Sequence, residues 1–494
     1  MDIFRRMGAR RATLIALVVS FSAAAFIAPP SAGAAANVSW LNGFEAPETP
    51  ASLNKVGVIK VGPRRAKNVL VLEPGTSGGA GYFLPFAKWA AAEAPGWQVW
   101  SVERRENLLE DQSMLTLAKE RKVTAKQMFD YYLGYIVDPS VTTHFQPVPT
   151  AGVAFARQWG MRVAVEDLRH VIAAAKRRGG KVVLGGHSLG GAIVTAYATW
   201  NFAGRPGARA LAGLVYDDGG SSDTSVTAEQ ATGSLQALQS ASPWLAFSGI
   251  PSPYLGLFSA TGAVAALIEP DGPALGQTFP LLPASLKPPL PATNLALFGY
   301  ATDTKTSQLS FAAQAHLGYL DTATTPASWS NGGAISPIGR YARMLAGAGL
   351  RNADGTEWYF PQRLAIDTGA VNEGNANPAQ EVLDVRATLG RHLPKRLRIY
   401  AFGAYGGVEV LNQAETLAHE SHIPNRNLTL IDRQGKYAHN DPAAAFPHNA
   451  FFNNLLPFLR KIEPGRRAVA PRDRGDRNAL PRSSKSRPEP RQTA

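Results

Sequence analysis

The chain has 494 residues, of which 45% are hydrophobic, and it contains no cysteine. This length and composition allow a large buried core, either in one domain with insertions or in two domains. The absence of cysteine excludes disulfides, thiol catalysis and cysteine-ligated metal sites. The formal net charge of +13 is concentrated at the two ends of the chain. The sequence has neither a basic helix nor an interleaved aromatic platform, so we expect no nucleic-acid binding.

Residues 1–36 have the pattern of a secretory signal peptide. Four arginines between positions 5 and 11 precede an apolar run from Ala12 to Ile27, and small residues with A-x-A spacing follow. The apolar run is shorter than the roughly 20 residues that a membrane-spanning helix needs. We therefore predict a cleaved signal peptide and a secreted, periplasmic or cell-envelope protein. An uncleaved membrane anchor is the alternative. The sequence does not decide between the Sec and the twin-arginine export routes.

Residues 464–494 form a basic tail that is rich in Pro, Arg and Ser. The tail holds nine Lys or Arg residues, three acids and few apolar residues, so we predict that it is disordered. Two interpretations are open. The tail associates peripherally with an anionic cell envelope, or it is a solvated tail with no binding role.

From Lys67 onward, short apolar β-like runs alternate with amphipathic helical patterns. The strand patterns lie at 68–72, 97–102, 181–185, 210–216, 396–402 and 427–431. The helical patterns lie at 82–94, 153–177, 190–201, 410–418 and 449–462. This alternation predicts an α/β fold with a mostly parallel central sheet and helices on both faces.

The alternation is interrupted twice. A less regular stretch at about 106–150 is interpreted as an insertion, and residues 221–395 are rich in Ala, Pro, Gly and Ser, with short helical patterns at 307–317 and 339–348. We interpret 221–395 as an inserted cap or lid. Residues 37–220 then form the N-terminal part of the core, and residues 396–463 form its C-terminal part.

The strongest chemical signal is the motif Gly186-His187-Ser188-Leu189-Gly190. It stands directly between an apolar strand pattern and a helix rich in small residues. A serine in such a sharp strand-to-helix turn is exposed at the sheet edge, and the next backbone N–H, that of Leu189, points at a developing oxyanion. The motif therefore indicates a nucleophile elbow. A glycine-rich turn that only links strand to helix is the alternative.

Through this motif the chain resembles the α/β-hydrolase superfamily, in particular its lipase and esterase branch. The resemblance extends from residues 165–168 through Gly185–Gly191 to 212–218, resumes at the strand pattern 396–402, and does not cover the cap. It implies an α/β-hydrolase fold with Ser188 as nucleophile and no cofactor. For the second oxyanion N–H it implies the loop after the first central strand, with Thr76 ahead of Ser77.

The same loop departs from the family. Many relatives carry a histidine before the first glycine of this loop, whereas this chain has Glu73-Pro74. The departure makes the conformation of the loop harder to predict. A small-residue turn without a catalytic role remains the alternative.

A serine nucleophile needs a histidine base, which in this fold follows the last strand. His439 stands seven residues after the strand pattern ends near Asp432, and His448 stands just before the final helix. We predict His439 as the base, because His448 is placed where a helix-capping or surface role is expected.

Three carboxylates are candidates for the acid that orients the histidine. Asp218 and Asp217 end the strand pattern at 210–216, and a carboxylate there can hold the tautomer of the base. An Asp in that place is also a common turn residue. After the strand pattern at 396–402 the candidate is Glu409, which also suits a helix N-terminus. We rank Asp218 first, Asp217 second and Glu409 third.

These residues predict hydrolysis of a carboxylic ester, with a small-molecule or lipid ester as substrate. Apolar, Pro-rich stretches such as 281–286 and 288–291 favour a hydrophobic acyl pocket, although such stretches are also plain connectors. The sequence has no metal-binding motif and no dinucleotide-binding motif, so we expect neither metal nor cofactor. Peptide cleavage, thioester hydrolysis, haloperoxidation and non-catalytic binding on a hydrolase scaffold remain alternatives.

Overall fold

The computed structural model describes residues 37–221, 226–247, 249–309 and 313–463. The described residues all belong to one compact unit, Ala36–Ala494. The predicted signal peptide and the predicted basic tail lie outside the described residues. No helix within the described ranges is long and apolar enough to cross a membrane.

The strands are numbered in chain order over the described residues. They are β1 (Ser39–Asn42), β2 (Lys55–Val61), β3 (Asn68–Glu73), β4 (Trp97–Glu103), β5 (Val182–His187), β6 (Asn201–Phe202), β7 (Arg205–Pro206), β8 (Gly213–Asp217), β9 (Tyr319–Asp321), β10 (Ser328–Ser330), β11 (Arg398–Gly403) and β12 (Leu428–Asp432).

The α-helices are numbered in the same way. They are α1 (Leu84–Glu93), α2 (Ser113–Lys119), α3 (Ala125–Tyr132), α4 (Met161–Lys176), α5 (Leu189–Thr199), α6 (Ala228–Ser240), α7 (Tyr254–Ile268), α8 (Asn294–Thr302), α9 (Ile338–Leu345), α10 (Gln362–Thr368), α11 (Pro378–Leu383), α12 (Gly407–Glu420), α13 (Asp441–Ala444) and α14 (Ala450–Ile462).

In the described part of the chain, eight strands form one sheet with the order β1-β2-β4-β3-β5-β8-β11-β12. Strand β2 runs antiparallel to both of its neighbours, β1 and β4. The pairs from β4 to β12 are all parallel. Two further pairs, β6–β7 and β9–β10, are short antiparallel ribbons. The sheet confirms the predicted fold class, a mostly parallel sheet surrounded by helices.

The sheet is buried on both faces because its central strands are apolar throughout. In β3, Leu70 and Leu72 belong to one core cluster, and Val69 and Val71 belong to another. Successive residues of a strand point to opposite faces, so the two clusters are the two sides of the sheet. Helices α1 and α14 pack into the first cluster, and α4, α5 and α12 pack into the second. A continuous apolar run is what a strand buried on both faces requires.

The segment between β8 and β11 carries α6 to α11 and the ribbon β9–β10. Its helices α7, α8 and α9 contribute to the core cluster that contains Leu70 and Leu72. Helix α7 also packs against α2 and α3, which lie within the shorter predicted insertion at 106–150. The shorter insertion and α7 to α9 therefore pack together on one face of the sheet, whereas α6, α10 and α11 contribute to the core cluster on the other face.

Strands β1 and β2 precede residues 68–72, where the sequence pattern predicts the first strand. They add two strands at one edge of the sheet. The helical pattern at 307–317 does not form a helix in the described residues on either side of 310–312. The side chain of Asp303 accepts hydrogen bonds from the backbone N–H groups of Lys305 and Leu317 instead. Those bonds hold the chain in a loop.

The single helix expected at 153–177 is two helices, a 3₁₀-helix at Thr150–Gln158 and α4. Gly160 between them has an extended backbone. The carboxylate of Asp367 accepts a hydrogen bond from the N–H of Met161 at 2.9 Å and so caps α4 from another part of the chain. A Cβ on Gly160 would lie 2.0 Å from that carboxylate. The break is therefore set by a tertiary contact that local periodicity does not contain.

Candidate active site

Four loops meet at one edge of the sheet because the strands that precede them are parallel. Strand β5 lies between β3 and β8, and Ser188 follows it directly. The loop Gly75–Gly78 follows β3, Asp218 follows β8, and His439 lies in the loop after β12. The carboxyl ends of parallel strands share an edge, which is where open α/β sheets bind their ligands.

Ser188 occupies a strained turn between β5 and α5. Its backbone has φ of 54° and ψ of −124°, a conformation that non-glycine residues adopt only when their surroundings impose it. Two glycines let the neighbouring chain come close enough to do so. A Cβ on Gly190 would lie 2.2 Å from the carbonyl oxygen of Glu73, and a Cβ on Gly219 would lie 2.1 Å from the carbonyl oxygen of Ser188. These contacts explain why positions 190 and 219 are glycines.

Asp218 and His439 form a buried hydrogen-bonded pair. Atom Nδ1 of His439 lies 2.6 Å from Oδ2 of Asp218. The same carboxylate accepts hydrogen bonds from the backbone N–H groups of Ala404 at 2.7 Å, Tyr405 at 3.1 Å and Gly406 at 2.8 Å. The loop after β11 therefore supplies backbone donors that fix the carboxylate, rather than a carboxylate of its own.

The pair sets the tautomer of the histidine. A carboxylate can only accept a hydrogen bond, so Nδ1 of His439 carries the proton in the contact with Asp218. Atom Nε2 then carries the lone pair that a general base needs. His439 and Ser188 line the same cavity. This arrangement can take a proton from a serine hydroxyl and stabilise the imidazolium that results.

The loop after β3 passes next to the serine. A Cβ on Gly75 would lie 2.9 Å from Cβ of Ser188, so only glycine lets the loop approach this closely. Thr76 and Ser77 are half-buried and line the cavity, and Ser77 has φ of 57°. Leu189 is the first residue of α5, where backbone N–H groups have no partner within the helix. The two N–H sources predicted for an oxyanion hole thus lie on either side of Ser188.

A cavity of about 960 Å³ opens above Ser188. Besides Ser188, His439 and the loop after β3, its lining consists largely of apolar and aromatic side chains from the segment between β8 and β11. Those side chains are Phe247, Leu255, Leu309, Ala313, Tyr341 and Leu345. Among the described residues, no group of three or more His, Asp or Glu side chains is arranged to hold a metal ion.

No family model matches the sequence, and no curated protein matches it either. A candidate lipase from Sulfolobus solfataricus is 13% identical with a TM-score of 0.43, over 86% of this chain and 92% of that chain. An esterase from Thermogutta terrifontis is 13% identical with a TM-score of 0.36, over 86% and 98%. An α/β-hydrolase fold protein from Nakamurella multipartita is 12% identical with a TM-score of 0.35, over 86% and 99%.

The strand order, the antiparallel β2 and the serine turn after β5 decide the fold. The chain has the α/β-hydrolase fold. The order of the functional residues along the chain, serine, then aspartate, then histidine, is the order found in α/β-hydrolases.

The structure does not bring the other predicted acids to the histidine. The carboxylate that contacts His439 is that of Asp218. Asp217 is buried, and burial raises the pKa of its carboxyl group well above its usual value, with the nearby Asp218 adding to the effect. Glu409 is exposed in the first turn of α12. His448 is also exposed, and the cap of α14 is the side chain of Asn449, which accepts a hydrogen bond from the N–H of Phe452, the third residue of the helix.

The departure at Glu73-Pro74 is explained by Arg104, which follows β4 and is buried. Its guanidinium donates to the backbone carbonyls of Pro74 at 3.0 Å, Gly75 at 2.9 Å and Gly78 at 3.1 Å. It also donates to the carboxylate of Glu73 at 3.0 Å. One planar cation thus holds the loop at several points, which an ammonium group cannot reproduce because it lacks the fixed fork of donors.

Further carboxylates surround the same guanidinium. Arg104 donates to Glu357 at 2.6 Å and to Glu106 at 3.2 Å. Burial raises the pKa of Glu73 to about 7, with Arg104 opposing the effect, and burial together with the adjacent Glu357 raises the pKa of Glu106 well above its usual range. The cluster anchors the loop. Within the cluster, a single guanidinium donates hydrogen bonds to several carboxylates.

His187, directly before Ser188, ties the base loop to the elbow. Its Nε2 lies 2.9 Å from the carbonyl oxygen of His439, so Nε2 carries the proton and donates it. Burial lowers the pKa of His187 to about 3, with the neighbouring His439 adding to the effect, and the ring is neutral. Tyr82 stacks on this ring with centroids 5.0 Å apart, and its hydroxyl donates to Asn440 at 2.9 Å.

Sequence reasoning missed four supporting residues, Arg104, His187, Tyr82 and Asn440. One signal was available for the arginine. Arg104 directly follows an apolar strand pattern that ends in Glu103. Glu106 is two residues further along the chain, and Glu73 ends the neighbouring strand of the sheet. The other three are recognised only when the loops after β3, β5 and β12 are brought together.

Proposed function

We propose that the protein hydrolyses a carboxylic ester through an acyl-enzyme on Ser188. The observation that carries the proposal is the hydrogen bond between His439 and Asp218, at the edge of the same cavity that Ser188 lines. A histidine held by a carboxylate, lining the same cavity as a strained serine, is the constellation of nucleophilic acyl transfer.

In the acylation half, Nε2 of His439 takes the hydroxyl proton as Ser188 Oγ attacks the carbonyl carbon of the ester. The carbonyl oxygen becomes an oxyanion, which the N–H groups of Leu189 and of Thr76 or Ser77 stabilise. The tetrahedral intermediate collapses, the bond from carbon to the alcohol oxygen breaks, and the imidazolium returns its proton to the leaving alcohol. Asp218 stabilises the imidazolium throughout.

In the deacylation half, His439 takes a proton from water, and the resulting hydroxide attacks the acyl carbon. The bond to Ser188 Oγ breaks, the serine regains its proton from the imidazolium, and the carboxylic acid leaves. The two halves use the same base and the same oxyanion donors, so removing either side chain of the serine–histidine pair stops both.

The cavity lining favours a substrate with an apolar acyl group. The side chains above Ser188 are aliphatic or aromatic, for example Phe247, Leu255 and Leu345, and a hydrocarbon group gains free energy by leaving water for such a surface. A serine, a histidine and a carboxylate alone would serve peptide or thioester hydrolysis equally well. The lining therefore selects for the acyl group, and a substrate panel distinguishes an ester from a thioester or a peptide.

A substrate panel tests the proposal. We expect hydrolysis of p-nitrophenyl esters to exceed turnover of matched thioesters and peptide anilides. We expect Ser188→Ala and His439→Ala each to lower kcat by about 10⁴ to 10⁶, and the double variant to be hardly slower than either single variant. His448→Ala is the matched control, because this exposed histidine lies outside the cavity lining, and its kcat should stay near that of the wild type. An enzyme that cleaves peptides or thioesters better than every ester would contradict the substrate class.

A further inference from the structure

A second apolar chamber, of about 760 Å³, lies behind the cavity above Ser188. Helices α7 and α8 form two of its walls. On α7 the lining residues Leu255, Phe258, Gly262 and Ala265 recur every third or fourth position, which places them on one face of the helix. Neither helix belongs to the part of the chain that resembles the hydrolase family, so the chamber is a feature of this chain's own segment between β8 and β11.

The two cavities are adjacent. Four residues line both of them, namely Leu255 and Ser259 on α7, Thr302 at the end of α8, and Leu309. These four residues, here called the neck, lie where the space above the nucleophile adjoins the chamber. A molecule that enters the chamber by this route passes Ser188 first.

Three of the four polar side chains that line the chamber, those of Thr261, Thr302 and Asn294, are already hydrogen-bonded to the protein. Thr261 and Thr302 each donate to the backbone carbonyl four residues earlier in their own helices, at 2.6 Å. Asn294 donates to the carbonyl of Glu269 at 2.9 Å and accepts from the N–H of Leu275 at 3.2 Å. A polar group placed beside them would lose its hydrogen bonds to water and gain few in return, which is unfavourable. The chamber therefore suits a hydrocarbon.

Small residues on α7 keep the chamber open. Gly262 stands in the middle of the helix, where glycine is unfavourable, and the nearest heavy atom to a Cβ built there is Cδ2 of Phe298, at 3.7 Å. A larger side chain would fit at this position. Protein interiors are otherwise closely packed, and leaving such space unfilled gives up contacts that a leucine would make. A ligand that fills the space explains why α7 has a glycine there instead of a larger side chain.

We propose that the chamber binds the distal part of a long, unbranched acyl chain whose carbonyl carbon lies at Ser188. The proposal rests on the proposed function and narrows its substrate to long-chain acyl esters. The occupant follows from the shared lining, because the neck lies between Ser188 and the chamber and the chamber lining is largely apolar. Short acyl chains end before the neck, so the chamber distinguishes esters by length.

The test is the chain-length dependence of hydrolysis. Each methylene that moves from water into the chamber is expected to raise kcat/KM by up to about fourfold. We therefore expect p-nitrophenyl dodecanoate to be hydrolysed with a much higher kcat/KM than the butanoate. Gly262→Leu fills part of the chamber and displaces two or more methylenes. This variant should lower kcat/KM for the dodecanoate at least about tenfold and leave the butanoate within twofold of the wild type.

Gly233→Leu is the matched control. Gly233 is an exposed glycine on α6 with no heavy atom within 4 Å of a built Cβ. Gly233→Leu therefore introduces the same side chain in a helix outside the chamber lining. Its ratio of dodecanoate to butanoate kcat/KM should equal that of the wild type. Ala301→Leu, which fills the chamber from α8, should reproduce the effect of Gly262→Leu even if one of the two variants folds poorly.

A binding measurement separates the two proposals. Calorimetric titration with dodecanoate should give a Kd that Gly262→Leu weakens at least about tenfold and Gly233→Leu does not change. If the wild type binds dodecanoate in this way but cleaves no ester, the proposed function fails and the chamber stands. If the wild type cleaves the butanoate, and Gly262→Leu and Ala301→Leu leave the ratio of the two esters unchanged, the chamber proposal is overturned while the hydrolase stands.

Discussion

Arg104 is expected to control catalysis through the loop that carries Thr76 and Ser77, without touching substrate. The substitution that isolates this role is Arg104→Lys, which keeps the positive charge. A lysine ammonium has three donors on one atom, whereas the guanidinium spans three loop carbonyls and the surrounding carboxylates. The loop should therefore lose most of its anchors while the cluster keeps its counter-charge.

The expected magnitude follows from what the loop supplies. Losing one oxyanion donor lowers kcat by about 10² to 10³. A loop held at fewer points presents its N–H groups in the right place for only part of the time, so we expect Arg104→Lys to lower kcat roughly a hundredfold. Removing the charge altogether, as in Arg104→Met, leaves Glu73 and Glu357 without their partner. That change should destabilise the fold by about 3–5 kcal/mol.

The neighbouring arginine provides the control. Arg105 is also buried and holds Asp167 through two hydrogen bonds, at 2.8 Å and 2.6 Å. Its other hydrogen bonds go to Asn54 and to the carbonyl of Phe44, both far from the loop at Gly75–Gly78 in the sequence. Arg105→Lys should lower the melting temperature about as much as Arg104→Lys and keep a kcat close to that of the wild type. Both variants are assayed with p-nitrophenyl butanoate well below their melting temperatures.

A split between kcat and KM distinguishes positioning from damage to the fold. Arg104→Lys should lower kcat with little change in KM, because the oxyanion forms only in the transition state. Equal kcat values for Arg104→Lys and Arg105→Lys, whether both high or both low, would refute the reasoning that Arg104 positions the loop.

Three further outcomes are expected. Asp218→Asn should lower kcat by about 10⁴, and Asp217→Asn should retain most of the activity in the same p-nitrophenyl ester assay, because only Asp218 contacts the base; the reverse result would reassign the acid. Gly219→Ala should abolish activity, because the added Cβ would lie 2.1 Å from the Ser188 carbonyl oxygen, while Gly233→Ala should leave kcat unchanged. Burial raises the pKa of Glu103 to about 8, so the folded state holds a proton that the unfolded chain releases above about pH 4.5. Stability should therefore fall as the pH rises from about 5 to 9, and Glu103→Gln should flatten this dependence in melting curves; parallel curves would contradict it.

The sequence was sufficient to predict the sheet wherever local pattern and tertiary environment agree. Apolar runs such as 68–72 and 181–185 form strands because both faces of the sheet are covered, and their order along the chain leaves little freedom in the topology. The serine turn was recognisable for a similar reason. Its glycines are demanded by close approach of neighbouring backbone, and glycine spacing is visible in sequence.

The acid could not be chosen from the sequence alone. Asp217 and Asp218 are adjacent, and the choice between them depends on which side of the strand end faces the histidine loop. In the structure, backbone N–H groups of the loop after β11 donate to the carboxylate of Asp218 and fix its position. No sequence pattern encodes these hydrogen bonds. Glu409 was a candidate only because a carboxylate was expected in the place that those N–H groups occupy.

The interior of the long segment between β8 and β11 was the least predictable part. Several of its helices are short, and the loop at 303–309 is fixed by hydrogen bonds from the backbone N–H groups of Lys305 and Leu317 to the side chain of Asp303. The break at Gly160 depends on Asp367 in the same way. Tertiary hydrogen bonds of this kind override local helical periodicity, so the elements they shape are visible only in three dimensions.

Labelling with a fluorophosphonate tests most directly whether Ser188 is an activated nucleophile. The reagent reacts with a serine whose hydroxyl is deprotonated by a neighbouring base, and peptide mass mapping locates the adduct. One phosphonyl group is expected on Ser188 of the wild type, none on Ser188→Ala, and much slower labelling of His439→Ala. An unlabelled wild type, or an adduct on a serine other than Ser188, would contradict the proposed acyl-enzyme.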